Sequence, residues 1–209
     1  MINEDISSIL KKLSTEYPDV KCHLEHKNPF QLLVSTVLAA QCTDERVNKV
    51  MIPLYQKEYR EPKDILNDGL SNFEDKIKSI NFYKNKAKAI IGICRKIVDE
   101  YNGKVPSTMD ELTSFNGVGR KSASVILGNS FAHNNVIIVD THLKRVCNRL
   151  NLTVNELPVK IEIDLKKIIP DDSQFLFSMQ IGEHGRVICK AKKPDCSNCI
   201  FNEICPSRI

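Results

Sequence analysis

Residues 115–123, Phe-Asn-Gly-Val-Gly-Arg-Lys-Ser-Ala, place two glycines between two stretches of helical sequence. Glycine tolerates positive φ and lets another backbone approach closely. The helix that follows directs its unpaired N–H groups at whatever lies in front of it, which favours an anion such as a phosphate. The stretch 115–133 contains Arg120 and Lys121 and no acidic residue. Taken alone, the pattern is also typical of a helix-to-helix turn with a glycine C-cap.

Apolar residues recur at helical spacing through most of the chain. Residues 6–13 form one such stripe, and residues 30–40 are apolar all round, which predicts a central buried helix. Ser71 and Glu74 match a capping box and predict a helix start. Only residues 136–139, Val-Ile-Ile-Val, resemble a strand, and four residues make no sheet. We therefore expect an all-α fold of about ten helices joined by short loops.

The composition is that of a globular protein rather than a disordered or fibrous one. Of the 209 residues, 42% are hydrophobic and 27% are charged, and the formal net charge of +4 points weakly to an anionic partner. No apolar run approaches the roughly 18 residues of a membrane span, so we expect no membrane association. The polar N-terminus shows no secretory signal, and we expect the cysteines to reside in a reducing compartment.

A second motif, residues 139–142 (Val-Asp-Thr-His), follows the strand-like run. Asp140 can act as an ordinary N-cap for a helix that begins near Thr141. A carboxylate at a helix N-terminus is also stabilised in its charged form by the positive end of the helix dipole. The residue is therefore either a structural cap or a carboxylate held ready for chemistry.

Four of the eight cysteines crowd into the last 21 residues, as Cys189-x6-Cys196-x2-Cys199-x5-Cys205. Four thiols this close together, with no histidine among them, suit a metal site built from four thiolates. Zinc usually takes two separated Cys-x-x-Cys pairs, whereas here one pair is flanked by two single cysteines. A compact loop of this kind favours an iron–sulfur cluster over a zinc ion. The loop after Cys189 is strongly basic and predicts either a solvated surface or a phosphate contact.

In combination, these motifs closely resemble the endonuclease III family, the bifunctional DNA glycosylases and AP lyases of the helix-hairpin-helix superfamily. The likeness runs essentially end to end, and the order and spacing of its strings make it specific. Besides the four-cysteine loop, the strings are Pro29-Phe30-x-Leu32-Leu33, Ala40-Gln41-x-Thr43-Asp44, Tyr83-x-x-Lys86-Ala87, Gly117-Val118-Gly119-Arg120-Lys121, Val139-Asp140-Thr141-His142 and Arg145-Val146-Cys147-Asn148-Arg149.

The resemblance implies two all-α domains with a cleft between them. Residues 22–133 would form a six-helix barrel with the helix-hairpin-helix motif at about 107–126. Residues 1–21 and 134–209 would form a second domain whose C-terminal loop holds a [4Fe-4S] cluster on Cys189, Cys196, Cys199 and Cys205. In family terms Lys121 is the nucleophile and Asp140 its carboxylate partner. The expected reaction is excision of oxidised pyrimidines from duplex DNA, followed by β-elimination at the abasic site.

The resemblance also implies residues that contact DNA. The amides of Gly117, Val118 and Gly119 would grip phosphate, and the cysteine loop would present Arg186, Lys190, Lys192 and Lys193. Gln41 matches the residue that fills the space left by the flipped nucleotide, although it could simply cap a helix. Phe82 matches an intercalating wedge, with a core phenylalanine as the alternative. Two departures from the family pattern are Asn81, where glycine is common, and Phe115-Asn116, where Leu-Pro is usual.

Four other interpretations compete with this one. Adenine glycosylases of the superfamily share the cysteine spacing but lack a lysine at position 121 and carry a further C-terminal domain, which we do not expect here. Thymine-mismatch relatives have tyrosine at that position. A non-enzymatic DNA-structure binder would not need both Lys121 and Asp140, and a small electron carrier would not need the roughly 180 residues before the loop. We therefore expect a monomeric prokaryotic repair enzyme, cytoplasmic and nucleoid-associated, acting on double-stranded DNA.

Overall fold

The computed structural model describes residues 6–209 and shows ten α-helices and one short 3-10 helix in that range. No β-strand occurs among these residues, so the all-α prediction is confirmed for the described chain. The α-helices are α1 (Ile6–Glu16), α2 (Pro29–Leu38), α3 (Asp44–Lys57), α4 (Pro62–Lys76), α5 (Tyr83–Glu100), α6 (Met109–Thr113), α7 (Arg120–Phe131), α8 (Thr141–Arg149), α9 (Pro158–Ile168) and α10 (Gln174–Val187), and the 3-10 helix is Asp171–Ser173.

Helix α2 is the buried central helix that the sequence predicts. Asn28 is its N-cap, and the Asn28 side-chain oxygen accepts a hydrogen bond from the Gln31 N–H at 2.9 Å. Pro29 occupies the first helical position, where its missing N–H costs nothing. Nearly every residue of α2 is buried, because apolar side chains cover all sides of it.

One local prediction, the capping box at Ser71, is wrong, whereas the expectation that residues 136–139 make no sheet is confirmed. The capping box of α4 lies at Glu61 and Asp64 rather than at Ser71. Gly69 interrupts this helix with φ +81°, so a new helical segment starts just before Ser71 and leaves it inside the helix. Residues 136–139 pair with no strand in the described chain. Their apolar side chains at 136–138 are buried, so burial rather than sheet formation explains the apolar run.

The chain divides into two compact units. One comprises Cys22–Ala132 and holds α2 to α7, with α5 packed on α4 and α7 packed on α2. The other comprises Met1–Lys21 and His133–Ile209, and its described helices are α1 and α8 to α10. No helix of residues 6–209 is both long enough and apolar enough to cross a membrane.

In the second unit, α8 and α10 pack at very short range because a glycine lies between them. A Cβ added to Gly185 would lie 2.9 Å from the His142 Cβ and 3.2 Å from the Val146 side chain. Gly182, on the same helix, has open space where a Cβ would project. The hydrophobic core of this unit joins α1, α8, α9 and α10, and Phe201 of the C-terminal segment packs into it.

This difference predicts opposite effects of two alanine substitutions on α10. Gly185→Ala should lower the free energy of unfolding by about 1–3 kcal/mol, because its methyl group forces α8 and α10 apart. Gly182→Ala, the matched control, should raise it by up to about 1 kcal/mol through helix propensity alone. Urea unfolding followed by circular dichroism measures both. Equal midpoints for the two variants would contradict the close α8–α10 contact.

Candidate active site and cysteine loop

The turn between α6 and α7 is anchored by two buried side chains and shaped by one glycine. Phe115 and Val118 are both buried, and the Val118 N–H donates to the Phe115 carbonyl at 3.1 Å. Gly117 has φ +87°, a left-handed conformation that side chains rarely adopt, so this position requires glycine. Asn116 is exposed between them. Phe115 thus anchors the hairpin where the family pattern usually has leucine.

The N-terminus of α7 is open to solvent. Its N-cap, Gly119, offers no side chain to the first turn, and a Cβ added there would meet no atom within 4 Å. The first helical hydrogen bond runs from the Ala123 N–H to the Gly119 carbonyl at 3.0 Å, so the N–H groups of Lys121 and Ser122 have no partner within the helix. No acidic residue lies in the first turn. This surface can therefore accept an anion.

Lys121 is the second residue of α7, and its side chain is exposed. Lys121 therefore lies in the exposed first turn of α7, directly after the hairpin glycines. Lys121 belongs to the unit Cys22–Ala132.

Asp140, in the other unit, is the N-cap of α8. Its Oδ1 accepts a hydrogen bond from the Leu143 N–H at 2.7 Å, and its backbone carbonyl accepts the first helical bond from the Lys144 N–H. Residues 136–138, buried just before it, hold the entering chain in place. The cap is confirmed. It uses one carboxylate oxygen and fixes the orientation of the other, so the capping role leaves an oxygen for chemistry.

The four cysteines of the C-terminal loop come together around one cavity. Cys189, Cys196, Cys199 and Cys205 all line it, together with apolar atoms of Ile188 and Pro194 and the side chain of Arg149. Its empty volume is about 320 Å³, which includes solvent space at its mouth. Each of the four cysteines is half-buried.

Two arginines of α8, one helical turn apart, hold the loop. Arg149 donates to the Cys189 sulfur at 3.2 Å and to the carbonyls of Lys190 and Ala191 at 2.8 and 3.0 Å. Arg145 donates to the carbonyls of Cys189 at 3.0 Å and Gly185 at 2.7 Å. The helix that Asp140 caps is therefore also the helix that shapes the start of the cysteine loop.

A buried histidine supplies a further contact to a loop sulfur. His184 is 1% exposed, with Nδ1 2.8 Å from the Tyr17 hydroxyl and Nε2 3.3 Å from the Cys199 sulfur. Burial lowers the pKa of His184 to about 4, so the ring is neutral near pH 7. Burial also raises the pKa of the Tyr17 hydroxyl, which keeps its proton. A thiolate at Cys199 can only accept, so as a metal ligand it would take its hydrogen bond from Nε2–H, with the Tyr17 hydroxyl as donor to Nδ1.

The donor set fits an iron–sulfur cluster better than a single ion. Zinc would draw four thiolates to about 2.3 Å from one point. The cysteines instead surround a cavity, as a cluster with one thiolate on each iron requires. N–H groups of Arg149, His184 and Phe201 face two of the sulfurs, which suits thiolate ligands.

Two of the cysteines outside the loop belong to the hydrophobic core. Cys94 and Cys147 are fully buried in helices α5 and α8. Burial raises the pKa of Cys94 to about 12 and raises that of Cys147 as well. Both thiols therefore stay protonated and act as small core side chains.

The remaining residues that the sequence singles out lie at the surface. Phe82 is 62% exposed, so the alternative of a core phenylalanine is wrong. Gln41 is also exposed, beyond the end of α2, and both residues have positive φ, 55° at Gln41 and 58° at Phe82. On and after α10, four basic side chains are exposed: Arg186, Lys190, Lys192 and Lys193.

A family model and the sequences of known proteins both assign this chain to the same family. Residues 34–171 match the model of the HhH-GPD superfamily of base excision DNA repair proteins. Endonuclease III of Synechocystis sp. is 46% identical over 203 residues, which cover 97% of this chain and 91% of the relative. Endonuclease III of Bacillus subtilis (strain 168) is 38% identical over 207 residues, covering 98% and 94%. The chain belongs to the endonuclease III family.

A solved structure of the family extends this match to the fold. It is a trapped endonuclease III–DNA covalent intermediate, 39% identical to this chain, with a TM-score of 0.90. The match covers 97% of this chain and 94% of that one. Membership of the endonuclease III family makes this chain a DNA glycosylase of base excision repair.

The sequence analysis missed the residues that support the cysteine loop. Arg145 and Arg149 lie four positions apart on α8, a spacing that predicts a shared face but not its target. Tyr17, which follows α1, and His184, in α10, lie 167 positions apart, so no local pattern could pair them.

Proposed function

We propose that this endonuclease III family member excises oxidised pyrimidines from duplex DNA and then cleaves the abasic site through a Schiff base on Lys121. The observation that carries the proposal is the exposed amine of Lys121 on the open N-terminus of α7, in a chain 39% identical to the protein of a trapped covalent DNA intermediate. A covalent intermediate requires a nucleophile on the protein. A lysine amine can be that nucleophile, because it forms a Schiff base with the sugar aldehyde.

The chemistry follows from an amine that attacks the C1′ carbon of the damaged nucleotide. As the base leaves, C1′ gains positive character, and the neutral Lys121 amine forms a bond to it. The C1′–O4′ bond then breaks, which opens the sugar ring, and O4′ takes a proton. The lysine nitrogen and C1′ are now joined by a double bond, a Schiff base. The imine acidifies the protons at C2′, and loss of one of them expels the 3′ phosphate. Water then releases the enzyme from the nicked strand.

Asp140 supplies the negative charge in this proposal. A preorganised carboxylate stabilises the positive charge that develops on the sugar, and it accepts a proton from the lysine. The hydrogen bond from Leu143 to Oδ1 supports this role, because it fixes the carboxylate without using its second oxygen. The cap therefore orients the proposed catalyst.

The DNA contacts are assigned to surfaces that the described units leave exposed. We propose that the hairpin from Gly117 to Gly119 binds a backbone phosphate, with the amides of Gly117 and Gly119 as donors, because the Val118 N–H already donates to the Phe115 carbonyl. Arg186, Lys192 and Lys193 would add salt-dependent phosphate contacts. Exposed Gln41 would fill the space of the flipped nucleotide, and exposed Phe82 would wedge between neighbouring bases. The partner is thus duplex DNA with an oxidised pyrimidine or abasic site, and we expect a monomer to bind it.

We propose that Cys189, Cys196, Cys199 and Cys205 hold a [4Fe-4S] cluster. When bound, the cluster supplies four iron–thiolate bonds that close the loop into a fixed shape. The chain's own residues act around it: Arg149 binds the loop carbonyls, and His184 donates to Cys199. A closed loop then presents the basic residues at 190–193.

The Schiff base gives the most direct test of this function. Incubation with an abasic-site duplex and borohydride should trap a covalent protein–DNA complex, because reduction of the imine makes the bond permanent. Lys121→Gln should trap none while it still binds the duplex. Lys63→Gln, which removes an exposed lysine of α4, is the matched control and should trap as the unmodified protein does. Undiminished trapping by Lys121→Gln would assign the amine elsewhere.

For Asp140, the cap and the catalyst predict different results. Asparagine caps a helix about as well as aspartate, so Asp140→Asn should unfold at an unchanged urea concentration. Single-turnover excision of thymine glycol should nevertheless fall about 100- to 1,000-fold, because the stabilising charge is lost. Cleavage of a preformed abasic site should fall less, since no glycosidic bond remains to be broken. Normal excision by Asp140→Asn would leave Asp140 as a cap only.

The cysteine loop predicts a coloured, iron-containing protein. Iron and acid-labile sulfide should each approach about four per chain, with broad visible absorption. Cys196→Ser should lower the iron content and the soluble yield, since one thiolate ligand is lost. Cys94→Ser, at a buried cysteine of α5, is the control and should retain its iron. Colourless protein with stoichiometric zinc would overturn the cluster assignment.

A further inference from the structure

Gln41 and Phe82 share an uncommon backbone conformation. Gln41 has φ 55° and Phe82 has φ 58°, and neither is a glycine. A left-handed conformation costs free energy in a residue with a Cβ and persists only where neighbouring contacts hold it. Gln41 follows the C-terminal end of α2, and Phe82 is the N-cap of α5. The contacts that hold these two positions therefore decide where their side chains point.

The first of these contacts comes from Asn81. Its Nδ2 donates a hydrogen bond to the Gln41 carbonyl at 3.0 Å, across 40 positions of sequence. Asn81 immediately precedes Phe82, so this single bond joins the two left-handed residues. A glycine, which the family pattern often has here, has no side chain and could not form it.

The second contact comes from Lys86, in the first turn of α5. Its side chain is only 7% exposed, and its Nζ donates to the carbonyl of Leu38 at 2.8 Å. Leu38 is the last residue of α2, where carbonyls lack helical partners and carry the negative end of the helix dipole. Burial lowers the pKa of Lys86, and this carbonyl compensates the desolvated amine. Lys86 thus fixes the end of α2 just ahead of Gln41.

We propose that Asn81 and Lys86 are positioning residues that brace the turn of Gln41 against the start of α5, so that Gln41 and Phe82 enter DNA as one preformed unit. The inference rests on the proposed function, in which these two side chains insert into the duplex. Inserted side chains lose freedom on binding, and a protein that has already fixed them binds more tightly. The brace therefore acts on the damaged site, where insertion occurs, and not on intact duplex.

The test compares binding to two duplexes of the same sequence. One carries a tetrahydrofuran abasic analogue with 2-aminopurine opposite it, and the other is undamaged. The ratio of the two affinities isolates insertion from general phosphate binding, and the rate of the 2-aminopurine fluorescence rise reports insertion directly. Gln41→Ala and Phe82→Ala should each lower the ratio, because each removes an inserting side chain.

The brace itself is tested with Asn81→Asp, which keeps the side-chain shape but cannot donate to the Gln41 carbonyl. The affinity ratio should fall about two- to tenfold, as expected for one hydrogen bond, and the fluorescence rise should slow. Asn85→Asp adds the same negative charge at an exposed position of α5 and should leave the ratio unchanged. Lys86→Met should also lower the ratio, with Lys84→Met, at an exposed lysine of α5, as its control.

Three outcomes separate the two proposals. If Gln41→Ala and Phe82→Ala leave the affinity ratio unchanged, insertion by these residues is wrong, and the brace falls with it. If both lower the ratio but Asn81→Asp behaves like Asn85→Asp, insertion stands and the brace is overturned. The brace is supported if Asn81→Asp lowers the ratio alone but adds nothing in a Gln41→Ala/Phe82→Ala background. Asn81 is exposed, so this decision does not depend on whether Lys86→Met folds.

Discussion

A helix leaves the amides of its first turn without partners inside the helix, and the proposed chemistry of this protein depends on how two helices meet that constraint. At α7 the N-cap is Gly119, which has no side chain to accept the N–H groups of Lys121 and Ser122. At α8 the N-cap is Asp140, whose side chain accepts the N–H of Leu143. The open end can take a phosphate, whereas the closed end holds a carboxylate in one orientation. The same physical demand therefore produces the proposed phosphate-binding surface in one unit and an oriented carboxylate in the other.

Helix α8 links the Asp140 motif to the cysteine loop. Asp140 stands at its start, and Arg145 and Arg149 reach from its last two turns to the backbone of the cysteine loop. Gly185 allows α10 to approach it closely, since any side chain there would strike His142. A helix that is held on several sides by hydrogen bonds and close packing keeps its N-terminus in place. The cysteine loop thus helps to fix the helix whose N-terminus carries the proposed catalytic carboxylate.

The two departures from the family pattern have structural explanations. Phe115 fills the anchor position of the hairpin, where its ring packs edge-on against Tyr101 with centroids 5.9 Å apart. Asn116 is exposed and fits the turn without strain, because the left-handed conformation falls on Gly117. Asn81 replaces a flexible residue with one that donates to the Gln41 carbonyl. Both departures keep the backbone conformation of their motifs but change the side-chain contacts that stabilise it.

The sequence by itself determined the helical class, the buried character of α2, the hairpin glycines and the cap at Asp140, because each depends on residues close together in the chain. The grouping of the four cysteines around one cavity was also predictable, because they lie within 17 residues of sequence. Only the tertiary structure decided that Phe82 is exposed, that His184 bridges Tyr17 and Cys199, and that Asn81 and Lys86 hold the end of α2. These contacts join residues up to 167 positions apart, and a local pattern carries no information about which distant backbone a side chain will meet.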